Sequence, residues 1–410
     1  MDRRTLIKTG GMAIVGLGFG GCVTRQPGRT VLPRPPVILP PVHVSWDRVI
    51  RTTVGLRPHR DSGFVLKADK LDAKTLIHNY GHGGAGMSLS WGTGLMAAEF
   101  ALQADGRRAA VVGCGAVGLT CARQLQRRGF DVTIYAMAVP PDTTSNMSLA
   151  GFTPTSGLIE NDRRTPEWEG QFRRAAEIAY RQLQLLAGSY YGVSWVNHYT
   201  PMGEVRGRGG EGSQLLQASL QLGQVLLQPG EHPFPTKYAV QRPSMRIEPS
   251  IYLDALVRDF LLFGGHVVIR KFDTPRDLMS LTESVIVNCT GLGAKALFGD
   301  EELVPLKGQL TVLVPQPEVT YATNGGTRNP SPTPGIGIHM MPRTDGIVLG
   351  GTSQRDVWTF EPDENERKRV VEGHMQLFSA MHAPPFGARI ARAEPPLRVP
   401  SLESHFGLEY

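Results

Sequence analysis

The stretch AAVVGCGAVGLTCARQLQRRG at 109–129 constrains this chain more than any other. An apolar strand runs directly into G-x-G-x-x-G, and LTCARQLQRRG continues at helical spacing before a second apolar strand, FDVTIYAM. This is the opening βαβ unit of a dinucleotide-binding domain. In such a unit Gly113 allows the tight turn and Gly115 lets the backbone approach a pyrophosphate. Ala116 and Val117 open the helix, and Gly118 permits close packing of helix on strand. The second strand ends Tyr135-Ala136-Met137, without the acid that ordinarily binds ribose hydroxyls. That argues against a generic NAD site and leaves the adenosine contact unassigned.

A second glycine loop precedes the first. HNYGHGGAG (78–86) packs Gly81, Gly83, Gly84 and Gly86 together, and MSLSWGTGLMAAEFAL follows with helical character, Ser88 near its start. A helix N-terminus carries roughly half a positive charge. One helix end facing a pyrophosphate and another facing the polar edge of a flavin accounts for two such loops in one chain. Two unrelated helix caps are the plainer alternative.

At 410 residues, two domains with sizeable cores are expected. An apolar fraction of 41% and a charged fraction of 20% describe a folded globular chain. Net charge is +6 with the basic residues scattered, which points to a solvated surface and not to a nucleic-acid groove. Cys22, Cys114, Cys121 and Cys289 show neither metal-ligand spacing nor a paired framework, so no metal is expected.

The chain opens MDRRTLIKTGGMAIVGLGFGGC. A charged start, a short apolar run and small residues before Cys22 make a signal peptide over 1–22, and RRTLIK resembles a twin-arginine export signal. FGGC also resembles a lipoprotein processing site, with Cys22 the lipidated residue. Residues 23–46 are proline-rich and read as a linker. The expected location is the periplasm or cell envelope.

The glycine loops and their surroundings resemble the D-amino-acid oxidase family of FAD enzymes. HNYGHGGAG…WG is similar to its flavin-binding segment, and VGLRPHR (54–60) to the stretch carrying its substrate-carboxylate arginine, here Arg57. DTTSNMSLAGF (142–152) resembles the family's threonine-rich flavin loop, with Thr143, Thr144 and Ser145. NCTGLGAKALFGDEELVPLKGQL (288–310), with Thr290 and Gly291, resembles a central strand and crossover, and GIVLGGTSQRDVW (346–358) a late strand and turn. The family's C-terminal block thus stands before its N-terminal one, a circular permutation joined through ADGRR (104–108). ARIARAEPPLRVP (388–400) resembles the same junction, so Arg398 competes with Arg57, which runs on directly to HNYGHGG and is favoured.

The resemblance implies an α/β fold: a Rossmann-like FAD domain and an antiparallel-sheet substrate domain. The expected division is a permuted flavin segment plus βαβ over 47–160, mainly substrate or cap domain over 161–244 and FAD domain over 245–298. Mainly substrate domain follows over 299–345, and closing elements of both over 346–410. Strand HVVIRKF (266–272), ending at Phe272, is placed beside the adenosine. TPEWEGQFRRAAEIAYRQLQLLAG (165–188) reads as a plain packing helix.

The implied cofactor is FAD, held by Gly83, Gly84, Ala85, Gly86 and Ser88 in the first loop and by the residues above in the second. The implied reaction oxidises a D-amino acid to an imino acid, which hydrolyses to a 2-oxo acid and ammonia. Electrons leave to O₂ as hydrogen peroxide; the alternative is a flavin dehydrogenase of another amine or imino acid that passes electrons to a membrane carrier. A non-catalytic flavin-binding envelope protein is the contrasting reading. Arg57 clamps the carboxylate and a backbone carbonyl near Gly84 accepts from the amine. The chain departs from the family where a tyrosine stands at the start of the strand reading HMMP (339–342): His339 occupies that place, and Tyr321 is the nearest tyrosine upstream. A protonated His339 would favour an acidic substrate; a structural histidine is the alternative.

Overall fold

The computed structural model describes residues 34–149, 151–205, 215–325 and 337–382. Two sheets organise residues from Pro36 onward. The first has six strands in the order β2 (Val65–Leu71), β3 (Lys74–Tyr80), β10 (Val285–Asn288), β4 (Arg108–Val112), β5 (Asp131–Ala136) and β9 (His266–Ile269). All are parallel except β2, which pairs antiparallel with β3. Ala109 to Val112 and Val285 to Asn288 are wholly buried, as expected of strands covered on both faces. On one face lie α1 (Gly86–Ala101), α2 (Ala116–Gln126) and α4 (Pro249–Leu262).

Helix α3 (Pro166–Leu185) starts at a Thr165 cap, whose hydroxyl accepts from the Trp168 N–H. Its buried stripe Trp168, Phe172, Ala175, Ala176, Ala179 and Leu183 joins the core shared by α1 and α2. The packing role expected of 165–188 is therefore played against the dinucleotide layer, and segment 161–244 serves both sheets. Helix α1 lies between its neighbours and is buried nearly all round, which explains its lack of a polar face.

The second sheet runs β1 (Val49–His59), β11 (Val304–Leu313), β14 (Gly346–Gly350), β13 (His339–Arg343), β12 (Tyr321–Asn324), β6 (Val193–Met202), β8 (Tyr238–Ile247) and β7 (Val225–Leu227), with β15 (Gln354–Arg355) also on β11. Its pairings are antiparallel except β12 with β6. Period-two alternation divides its side chains. Tyr199, Leu313, Tyr321, Met340 and Leu349 face a core closed by α6 (Glu364–Ser379), while Arg57, Leu310, His339, Met341 and His198 face the dinucleotide layer.

Residues 49–59, within the 47–160 stretch expected to hold the flavin segment and βαβ, form β1 at an edge of this second sheet; only from β2 does the chain enter the parallel one. Short α5 (Gly293–Phe298) follows β10. The end of the proline-rich stretch is extended, but it is docked rather than free. Leu39 and Val42 are buried in the second core, and Pro40 accepts a 2.7 Å hydrogen bond from the Tyr321 hydroxyl.

Candidate active site

A cavity of about 1020 Å³ lies where the C-terminal ends of the parallel strands meet the polar face of the second sheet. Both glycine loops open onto it. Gly113 sits at φ 116°, donates its N–H to the Tyr135 carbonyl at 2.8 Å and starts the turn into α2. A side-chain carbon on Gly118 would stand 2.0 Å from the Gly113 carbonyl oxygen, so only glycine lets α2 sit this close to β4. Gly115, Ala116 and Val117 line the wall, and Ser145 accepts from the Ala116 N–H at 3.0 Å, which folds the 143–145 turn over the loop. Thr143 and Thr144 line the same wall. Thr290 donates its N–H and hydroxyl to the Asn288 side-chain oxygen at 3.1 and 2.7 Å, which fixes the Thr290-Gly291 turn beside them.

At the far end, β5 finishes at Ala136 beside Phe272. The Arg270 guanidinium lies 4.6 Å above the Phe272 ring. A stacked cation–aromatic pair thus stands where a ribose-binding acid was sought. Arg270 was legible only as a basic residue near a strand end.

The first loop is held from behind. Gly83 has φ 52°, and a side-chain carbon there would lie 1.7 Å from the Gly157 carbonyl oxygen. Gly84 donates its N–H to the Ser156 carbonyl at 2.9 Å. Gly83, Gly84 and Gly86 line the cavity, so the N-terminus of α1 is presented to it. Ala85 is fully buried, and the Ser88 hydroxyl accepts from the Thr153 N–H at 2.8 Å. These two, like Gly118, stand behind the wall as its support.

Arg57 reaches the cavity from β1, between Gly84 and Gly308, neither of which has a side chain to displace it. Its Nε donates to the Leu306 carbonyl at 3.0 Å, and Nη2 to the Ser353 hydroxyl at 3.0 Å and the Thr352 carbonyl at 3.3 Å. All three acceptors are neutral. Among the described residues no carboxylate pairs with this guanidinium, and Nη1 has no hydrogen-bond partner. Desolvation lowers its pKa to about 10, so it stays charged at neutral pH. A partly desolvated cation with an open donor edge is a receptor for an anion. Arg398 and Cys22 lie outside the described residues.

His339 does line the cavity, but burial, with smaller contributions from His374, His198, Arg57 and Arg369, pushes its pKa down to about 3. The neutral form is favoured, which argues against a protonated His339 as selector of acidic substrates. Tyr321 points to the opposite core, so it is not a pocket tyrosine. Sequence reasoning missed His198 and Asn79. His198 stands on β6 two strands from His339, its Nδ1 shielded and without a partner. Only the strand pairing reveals it. Asn79 lies inside HNYGHGG itself, and it is fully buried on the cavity wall with both amide atoms unpartnered.

Burial depresses His82 to about 3 and His374 to about 4. Unfolding restores the ordinary value near 6.5, so the unfolded chain binds more protons between those limits. Stability therefore rises with pH across about 3 to 6.5 and is lost as pH falls through that window, by at most about 1.4 kcal/mol per pH unit for each group. The unfolding temperature should fall steadily from pH 7 to pH 5; a flat profile would contradict the neutral buried histidines.

The residues fit a flavin dinucleotide. The two helix N-termini, the side-chain-free approach at Gly113 and Gly115, Asn79 with its orphaned amide and the free edge of Arg57 all line one cavity. The family described as DAO, FAD dependent oxidoreductase, matches residues 108–398. A D-amino acid oxidase of Dugesia ryukyuensis is 26% identical over 281 residues, 66% of this chain and 78% of that protein. A D-aspartate oxidase of Homo sapiens is 28% identical over 287 residues, 68% of this chain and 78% of that protein. Among solved structures, a glycine oxidase from Bacillus cereus ATCC 14579 is similar at 12% identity with a TM-score of 0.47, covering 67% of this chain and 79% of that one. From the first residue of β4 onward, this chain belongs to the DAO family of FAD dependent oxidoreductases.

Proposed function

We propose that this protein is an exported oxidase of D-amino acids, with its family elements circularly permuted. The observation that carries the reading is Arg57: a cation without a carboxylate partner among the described residues, aimed into the cavity beside Gly84 and the first helix N-terminus. An α-amino acid offers the carboxylate that such a group lacks. The relatives named above as oxidases of D-amino acid and D-aspartate support the D configuration.

Bound FAD would supply the hydride acceptor for oxidation at the substrate Cα. The protein's own contribution is mostly orientation. Arg57 holds the substrate carboxylate, and its guanidinium is fixed in turn by Leu306, Thr352 and Ser353. Gly84 leaves room for substrate against the loop, where a backbone carbonyl accepts from the amine. The positive end of α1 opens onto the cavity, where it would favour negative charge on a bound cofactor. Neutral His339 and His198 offer hydrogen bonds without adding charge, so they do not demand an acidic side chain.

Permutation is supported by where the family match begins. It opens at β4, yet β1 to β3 and α1 ahead of it supply Arg57 and the first glycine loop to the same cavity. Export rests on RRTLIK and FGGC, outside the described residues; no helix among those described is long and apolar enough to cross a membrane. The intact mass of membrane-extracted protein tests it, and a chain retaining Met1 would contradict it.

The expected anchor and the departure at His339 favour one second reading: a dehydrogenase of another amine or imino acid that passes electrons to a membrane carrier. Hydrogen peroxide formed in air from a D-amino acid, and not from its L enantiomer, supports the oxidase. Reduction of the flavin without oxygen uptake would replace it with the dehydrogenase.

A further inference from the structure

We infer that Asn79 is a cofactor-binding residue whose side-chain amide holds a hydroxyl of the ribityl chain of bound FAD. The inference rests on the family reading only for the presence of FAD; the residue and its role come from the geometry.

Asn79 has no exposed surface, and neither its Oδ1 nor its Nδ2 has a hydrogen-bond partner. A buried amide left this way is costly, and folded proteins ordinarily satisfy such groups. The asparagine on the neighbouring strand shows the contrast. Asn288 places Nδ2 3.1 Å from His78 Nδ1, and its Oδ1 accepts twice from Thr290. Both sit at the C-terminal edge of the parallel sheet, where such folds bind ligands. The register with β10 pairs His78 with Asn288 and ends there, so Asn79 is one step beyond that ladder, while β2 on the other side still pairs it with Leu66. Its neighbours His78 and Tyr80 face Phe298 and Asp300 on the other side, by strand alternation. Asn79 faces the cavity.

The chemistry of the orphaned group narrows what it binds. An amide offers an acceptor and two donors from one place. Phosphate oxygens only accept, so a pyrophosphate would leave Oδ1 unsatisfied. A hydroxyl both donates and accepts. In FAD the hydroxyl-bearing ribityl chain joins the ring to the pyrophosphate. Asn79 stands directly ahead of the Gly81–Gly86 loop that opens α1, with β10 between its strand and β4, which runs into the Gly113–Gly118 loop that opens α2.

The test uses the full chain stripped of FAD, with Asn79→Leu, close in volume and unable to hydrogen-bond. Removing an orphaned amide should leave the unfolding temperature of the stripped protein unchanged or higher. FAD binding should weaken about 10- to 100-fold, and the FAD-induced rise in unfolding temperature should shrink accordingly. Lumiflavin, which lacks the ribityl chain, and ADP, which lacks the flavin, should bind wild type and variant alike. A stripped variant that unfolds at lower temperature while FAD binds unchanged would overturn the inference and make Asn79 structural. Equal weakening of lumiflavin or ADP would overturn it too, by moving the contact to the ring or the pyrophosphate. A wild-type chain that binds no FAD would sink the cofactor reading along with it, an outcome distinct from a variant that binds FAD as wild type does.

Discussion

Arg57→Ala should lower kcat/KM for a D-amino acid by about 10²- to 10³-fold while FAD remains bound. That range corresponds to truncating one partner of a desolvated, hydrogen-bonded charge pair, which costs roughly 2–5 kcal/mol. The guanidinium is already oriented by three neutral acceptors, so little order must be gained when substrate arrives. Arg57→Lys should recover only part of the loss. A lysine ammonium cannot donate along a planar edge or keep the contacts to Leu306 and Ser353 together. Steady-state kinetics together with the flavin-to-protein ratio separate this from a folding defect. Unchanged kcat/KM in Arg57→Ala would remove Arg57 from the site and return attention to Arg398.

The second large effect is expected at Gly118. In Gly118→Ala the new methyl would start 2.0 Å from the Gly113 carbonyl oxygen and 2.8 Å from its carbonyl carbon. Backbone stands on both sides of the contact, so no rotamer change relieves it; α2 must move away from β4. That shift opens the turn at Gly113 and Gly115 and misaligns the helix N-terminus with the pyrophosphate. We expect FAD affinity to fall at least about 100-fold, as for loss of several aligned N–H contacts, with protein recovered soluble but colourless. Gly129→Ala is the control. That glycine is also in a positive-φ turn, at 79°, but nothing lies within 4 Å of an added carbon, so cofactor content should persist with a modest stability loss. A yellow, fully loaded Gly118→Ala protein would show that the close approach of α2 is dispensable.

Much of this architecture was written in local patterns. G-x-G-x-x-G between two apolar strands specifies a parallel sheet because the turn, the helix and the buried strands are all local. The unit at 109–136 appears as β4, α2 and β5 accordingly. The two loops meeting in one cavity followed from the chemistry of helix ends. What local pattern does not encode is which face of a strand meets which cavity. His198 and His339 become neighbours only through the order β13-β12-β6, and Tyr321 turns away because residue parity on β12 sends odd positions to the α6 side. The same applies to residues 49–59, which read as an approach to HNYGHGG but pair along β11.

Charge was misjudged for a related reason. A histidine in a pocket sequence reads as a titratable group until its burial is known, and burial keeps His339 neutral. Asn79 was hidden in plain view among glycines, since an asparagine in a turn-rich motif is ordinarily satisfied by its own backbone. Only the fold shows that this one is not.

The central claim is that Arg57, the first glycine loop and bound FAD together oxidise a D-amino acid. Its most direct test mixes the purified holoprotein anaerobically with separate D- and L-amino acids while the visible absorbance of the flavin is followed. Bleaching is expected with D-amino acids and not with their L enantiomers, with near-complete loss of the D response in Arg57→Ala. An oxidised flavin that persists with every amino acid, or bleaching by L enantiomers alone, would contradict it.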